Sequence, residues 1–127
     1  MVLHLRGYCF YLIDYKSLRC WADDPASPAI TTLEGNCSYL DGTYQSRTDH
    51  LEKCIKCAAE KNFTIMGLQD GGSCSGTADG GEDYKKHGAS DACNLATGLG
   101  GSNANHVYRL SKCHELSISY SKIIIVF

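Results

Sequence analysis

The chain has no marked excess of charge of either sign, no apolar run long enough to cross a bilayer and no recognisable leader. Its 12 basic and 14 acidic residues leave a net charge of -2, which gives no electrostatic reason for nucleic acid or an anionic membrane to be the main partner. A transmembrane helix needs about 20 consecutive apolar residues, and no segment supplies them. Residues 1–19 do not read as a signal peptide: the apolar stretch from Tyr8 to Ile13 is short, Asp14 follows it, and no small-residue cleavage site comes after. The expectation is therefore a piece of a larger secreted protein, or a misassigned start. Disorder is excluded as well, since 43% of the residues are hydrophobic and only 20% are charged.

What the chain does have is cysteine. Eight in 127 residues exceed what a reduced cytosolic domain of this size carries without metal or redox chemistry, whereas a secreted domain uses them as staples. The length suggests one domain with a modest core. Two glycosylation acceptors, Asn36-Cys37-Ser38 and Asn62-Phe63-Thr64, are compatible with secretion. The 13 glycines, clustered in the second half, indicate a loop-rich architecture, and the 8 tyrosines supply surface for ligand contacts.

Along the chain, Trp21 to Pro25 reads as a strand running into a turn, and residues 24–45, with Pro25, Pro28, Gly35 and Leu40-Asp41-Gly42, as an irregular loop. Asp49 and Glu52 form a capping-box pattern, after which Leu51, Cys54, Ile55 and Ala58 recur on one helical face. Cys54 then lies at the centre of the buried stripe and Cys57 on its flank, with the helix ending near Lys61-Asn62. Residues 63–69 read as a strand buried on both faces, Asp70-Gly71-Gly72 as a tight turn, and Ser73-Cys74-Ser75 as the returning strand. Residues 82–87 suit a short helix stopped by Gly88, and 105–110 a final strand. The terminal run 122–127 is apolar and β-prone, an aggregation hazard unless paired. The fold class is α+β: one main helix packed on a small antiparallel sheet, with long loops and disulfide staples.

Cys20-Trp21, Leu51-Glu52-Lys53-Cys54, Gly67-Leu68-Gln69-Asp70-Gly71-Gly72-Ser73-Cys74, Cys93, Gly100-Gly101 and Val107-Tyr108-Arg109 occur in the order of a WSC domain. The chain more closely resembles a WSC-like module of marine invertebrate extracellular proteins, which carries patterns similar to residues 30–35, 40–47 and 84–88. The resemblance covers roughly residues 19–110, leaving 1–18 and 111–127 as N- and C-terminal extensions. It implies an architecture related to PAN/apple domains, a Cys54–Cys74 bridge from helix to strand, and Cys20–Cys93 as the second bridge. It also implies an extracellular carbohydrate-binding or cell-surface role. A standard WSC domain carries more cysteines, and near Gly101 the invertebrate module carries a tryptophan where this chain has Ser102-Asn103.

The same residues suggest other chemistry. Cys54-Ile-Lys-Cys57 has thioredoxin-like spacing, but its first cysteine lies inside the helix and not at the N-terminus, where a thiol is activated. A zinc site would want a second close pair, and Cys113-His114 is badly spaced. Gly72-Ser-Cys-Ser-Gly76 resembles a nucleophile elbow without the strand-to-helix context that makes one. The acidic loop from Asp79 to Asp83 offers a weak calcium site or a solvated turn. A sugar site needs aromatic faces and fixed amides or carboxylates, for which Gln69, Asp70, Tyr84, Asn103, Asn105 and Tyr108 are the candidates. Tyr108 suits the core at least as well, Asn105 suits backbone satisfaction, and Trp21 suits packing on a disulfide.

The expectation is an extracellular, non-enzymatic module that recognises glycans weakly, with no cofactor and no metal. The alternative is a structural or protein-interaction module of the extracellular matrix, with Cys9, Cys37, Cys57 and Cys113 free to bridge chains into a covalent oligomer.

Overall fold

In the computed structural model, which describes residues 3–5, 8–10, 13–78 and 83–112, the elements run in the order β1 (Leu3–Leu5), β2 (Tyr8–Phe10), β3 (Ile13–Ala22), α1 (His50–Glu60), β4 (Ile65–Gln69), β5 (Ser73–Thr77), a 3-10 turn (Asp83–Lys85) and β6 (Ala104–Lys112). β1 and β2 pair as an antiparallel hairpin, while the other four strands form one antiparallel sheet in the order β3-β6-β4-β5. The fold is α+β, as its residue pattern predicts, with α1 packed on the sheet. No described helix is long and apolar enough to cross a membrane. Residues 79–82 of the acidic loop, the Cys113-His114 pair, the apolar run 122–127 and the side chain of Cys9 lie outside the described residues.

Both faces of the central strands are buried, which is why residues 63–69 read as a continuous apolar run. On one face Met66 and Leu68 of β4, Cys74 of β5, and Tyr108 and Leu110 of β6 meet Cys54, Cys57 and Ala58 of α1, together with Leu33 and Leu40 of the preceding loop. On the other, Ile65 and Val107 pack with Ile30 and Tyr84, and Trp21 closes the edge. A fully buried side chain such as Leu68 contributes roughly 1.5–3 kcal/mol. Gly67 is needed at the crowded centre of β4, where a Cβ would meet Ile30 Cδ1 and Ser75 Oγ at 3.2 Å.

The helix corrects two local expectations. Asp49 at its N-cap has φ 53° and ψ 47° and makes no side-chain cap bond, so the Asp49/Glu52 capping box does not form. That left-handed backbone differs from the extended N-cap geometry that aims a carboxylate at the first free amides. Glu52 instead pairs with Lys56 at 3.2 Å, one turn on. At the other end Asn62 takes φ 61° and its N–H donates to the Ala59 carbonyl, a left-handed stop at the residue where the helix was expected to end. The second correction concerns Cys57. It is fully buried and not peripheral, although it lies on the flank of the stripe, because the 33–40 loop, with Cys37 and Leu40, covers the side of α1 that the sheet leaves open.

The sheet extends past the 19–110 span at both ends, with Ile13 opposite Lys112. β3 is interrupted by a bulge between Ser17 and Cys20, where Arg19 takes φ 78°. The Trp21 indole donates to the Leu18 carbonyl at 2.7 Å and the Arg19 N–H to Ser17 Oγ at 3.1 Å, satisfying groups that the bulge removes from the ladder. Trp21 and Cys20 point to opposite faces, as neighbours on a strand do. The indole therefore packs edge-on against Tyr84, with centroids 5.6 Å apart, and not on a disulfide as expected.

Candidate functional site

Four stretches of chain converge where β4 turns into β5. Asp70 and Gly71 take positive φ values of 50° and 84° to make the turn. The Asp70 N–H donates to the Gly101 carbonyl at 2.8 Å, and Gly71 and Gly100 exchange backbone bonds at 3.2 and 2.9 Å. This approach requires glycine at 100, where a Cβ would fall 1.8 Å from the Leu68 oxygen. His50 lies over Gly72, where a Cβ would fall 1.8 Å from its ring, and its Nε2 is 2.9 Å from the Tyr44 carbonyl oxygen.

The side chains carried by this frame are polar and partly linked. Tyr44 donates its hydroxyl to Asp70 Oδ2 at 2.7 Å. The Gln69 amide donates to Asp23 Oδ2 at 2.7 Å, and Asp23 Oδ1 accepts the Ala29 N–H at 2.8 Å. The Asp23 N–H in turn donates to the Asn103 carbonyl at 2.8 Å. Asp70 and Asn103 are exposed, while Asp23, Tyr44 and Gln69 are half-buried. The hydrogen bond to Asp70 holds the Tyr44 hydroxyl above its ordinary phenol value, so it remains a donor at neutral pH. Two carboxylates, Asp70 and Asp23, the Gln69 amide and the Tyr44 phenol thus gather at one end of the sheet, with exposed Asn103 tied to them through its backbone carbonyl.

Of the six candidate ligand residues, Gln69, Asp70 and Asn103 come together here. Tyr84, Asn105 and Tyr108 do not. Tyr84 is buried beneath Trp21, and Asn105 is 2% exposed within β6. Tyr108 is 3% exposed and donates its hydroxyl to the Gly98 carbonyl at 2.6 Å; burial, with Tyr15 alongside, pushes it up to about 12. Asp23 and Tyr44 join this group without a signal in the sequence, because both lie in the aperiodic loop, where no hydrophobic pattern orients a side chain.

A second polar contact missed by sequence reasoning lies on β6. His106 is buried, stacks on Tyr108 at 4.4 Å and has its Nε2 2.7 Å from Ser17 Oγ. Burial, reinforced by the Arg19 charge, holds its imidazole below the ordinary value, so the neutral ring is favoured in the fold. Such a group stabilises the fold above its unfolded pKa of about 6.5, and that contribution is lost as pH falls towards the folded value. Replacing His106 by glutamine is expected to flatten part of the fall in urea midpoint between pH 6.5 and 5.5; an unchanged pH profile would remove His106 as its source.

The cysteines sort clearly. Disulfides join Cys54 to Cys74 and Cys20 to Cys93, the pairs the resemblance implies. The first ties α1 to β5 and takes Cys54 out of the CxxC pair, leaving no dithiol for redox or zinc chemistry there. The second draws the loop after Gly88 against β3, where the Ser90 N–H donates to the Cys20 carbonyl and the Cys93 N–H to Cys20 Sγ. Cys57 is too deeply buried to bridge a second chain. Among the described residues, no group of three or more His, Cys, Asp or Glu is placed to hold a metal ion. Asn36 and Asn62 are both exposed, as glycan acceptors must be. No known protein-family model and no curated protein sequence matches the chain, so its functional reading rests on these residues and their geometry.

Proposed function

We propose that the chain is an extracellular binding module of the WSC-like kind, which takes a glycan at the β4–β5 end of the sheet. The observation that carries this reading is the convergence of Asp70, Tyr44, Gln69, Asp23 and Asn103 on a glycine-built frame. Sugar hydroxyls need paired donors and acceptors in fixed positions, and an aromatic face alongside takes their C–H groups. Tyr44, tethered to Asp70, offers both. Disulfide staples and exposed sequons at Asn36 and Asn62 are compatible with an extracellular location. The exposed, loop-built position of Asp70 and Asn103 favours weak single-site affinity, with avidity from repetition in a longer protein or assembly.

A glycan array probed with oxidised, multimerised protein is the direct test. Binding is expected, and the double variant Asp70→Gly, Asn103→Gly, in which glycine accommodates the positive φ of 50° and 49° at these positions, is expected to weaken it at least tenfold while leaving the melting temperature nearly unchanged. A silent array, or binding that the double variant retains in full, sinks this reading. A silent array would favour the matrix-interaction alternative, which Cys57 no longer supports as an intermolecular bridge.

A further inference from the structure

Among the cysteines whose side chains are described, Cys37 and Cys57 are the two outside the disulfides. Cys37 is half-buried in the loop that precedes α1 and packs against the cluster containing Cys57, close enough for its thiol to perturb that of Cys57. We propose that Cys37 and Cys57 are the site of a third disulfide, tying the 33–40 loop to α1, with Cys37 as the entry point for a small disulfide oxidant of the glutathione class.

Each partner is positioned by structure independent of the other. The loop is held by the Leu33 N–H on the Cys74 carbonyl at 2.9 Å, and by turn bonds from Asn36 to Leu33 and from Leu40 to Cys37. Cys57 is carried by a helix already bonded to the sheet through Cys54–Cys74. Formation of that bridge therefore presets the second pair. Among the described residues, Cys37 is the one unbridged cysteine packed against the cluster in which Cys57 is fully buried.

The chemistry then has a fixed order. The Cys37 thiolate attacks one sulfur of the oxidant, forming a mixed disulfide and releasing one thiol. Cys57 gives up its proton and attacks Cys37 Sγ, forming the protein disulfide and releasing the second thiol. Two protein thiols are oxidised and one oxidant disulfide is reduced to two thiols. The oxidant reaches Cys37 first because Cys57 has no exposed surface. Burial is the largest of the causes that push the Cys57 thiol up to about 12, and it persists in the mixed disulfide, so thiolate stays scarce at neutral pH and closure is the slow step. Closure is expected to accelerate up to about tenfold per pH unit between pH 7 and 9.

The test is a disulfide map of the full chain, refolded in a reduced/oxidised glutathione buffer and alkylated before digestion. Lys56 separates Cys54 from Cys57, and Glu34 separates Cys20 from Cys37, so trypsin with a glutamate-specific protease places these cysteines on different peptides. The expected result is a Cys37–Cys57 linked peptide in molecules that also carry Cys54–Cys74 and Cys20–Cys93. Alkylated thiols at both positions in such molecules, or Cys37 joined to Cys9, Cys113 or a second chain, would overturn the proposal. A Cys57→Ser variant is expected to trap glutathione on Cys37, and absence of that adduct in folded variant removes Cys37 as the entry point. Should the variant not fold, the wild-type map still decides. The result is independent of glycan binding, so failure of either reading leaves the other standing.

Discussion

Replacing Arg47 by methionine is expected to lower the unfolding free energy by on the order of 3 kcal/mol. The Arg47 side chain is completely shielded from solvent, and Glu34, its partner, is 24% exposed. The guanidinium forks onto both Glu34 oxygens at 2.7 and 2.9 Å, and its Nε donates to the Asp41 carbonyl at 3.1 Å. Glu34 Oε2 also accepts the Cys74 N–H at 2.8 Å, so the pair links the irregular loop to the edge strand of the sheet. Removing the guanidinium strands a carboxylate and a carbonyl that are partly cut off from water, and this orphaning is what destabilises. Partial exposure of Glu34 keeps the expected loss at the lower end of the range for buried pairs. Urea denaturation at pH 7 measures it; a loss below about 0.5 kcal/mol would show the pair to behave as an ordinary surface ion pair.

The same pair gives a pH dependence of definite sign. Burial pushes the Glu34 carboxyl up, but hydrogen bonds from Arg47 and the Cys74 amide, with the Arg47 charge, outweigh it and hold the group below its ordinary value. A carboxylate depressed in the fold contributes stability above its unfolded pKa of about 4.3 and loses it as pH falls through the folded value. The wild-type midpoint is therefore expected to drop below about pH 4, and Glu34→Gln to lack part of that drop.

The largest expected effect belongs to the disulfides. The Cys20–Cys93 bond spans 73 residues in sequence, and on the chain-entropy relation a closure of that length contributes about 4 kcal/mol. The 20-residue separation of Cys54 and Cys74 corresponds to about 3 kcal/mol. Total stabilities of domains this size are roughly 5–15 kcal/mol, so the double variant Cys20→Ser, Cys93→Ser is expected to be markedly less stable at 37 °C. Its effect is not confined to the denatured chain. The loop it anchors supplies Gly98, whose carbonyl takes the Tyr108 hydroxyl, and Gly100 and Gly101, which frame the Asp70 turn. Hydrogen exchange should therefore rise at the amides of Asp70 and Gly71 before it rises in β4. Exchange that stays protected at these amides in the double variant would show that the loop holds its position without the bond.

Much of the fold was legible because apolar burial leaves a pattern that the chain must carry. The stripe Leu51, Cys54, Ile55 and Ala58 marked the helix, and the unbroken apolar run at 65–68 marked a strand covered on both faces. The two disulfides were implied by a resemblance in the order of motifs. The candidate site was legible only in part. Gln69, Asp70 and Asn103 stand beside recognisable turn signals, whereas Asp23 and Tyr44 reach them from a loop without periodicity.

By itself, the sequence determined α1, β4, β5 and β6 and the glycine turn between β4 and β5, since those follow from local sterics and from the spacing of apolar residues, whereas it left β1, β2 and the first part of β3 unmarked. Tertiary structure alone decided what covers each face. A helical wheel puts Cys57 beside the stripe; the 33–40 loop buries it against Cys37. Strand alternation leaves open whether Tyr108 meets ligand or core; the loop held by Cys20–Cys93 brings Gly98 over its hydroxyl. Such contacts join residues tens of positions apart through irregular chain, and only the folded path brings them within reach.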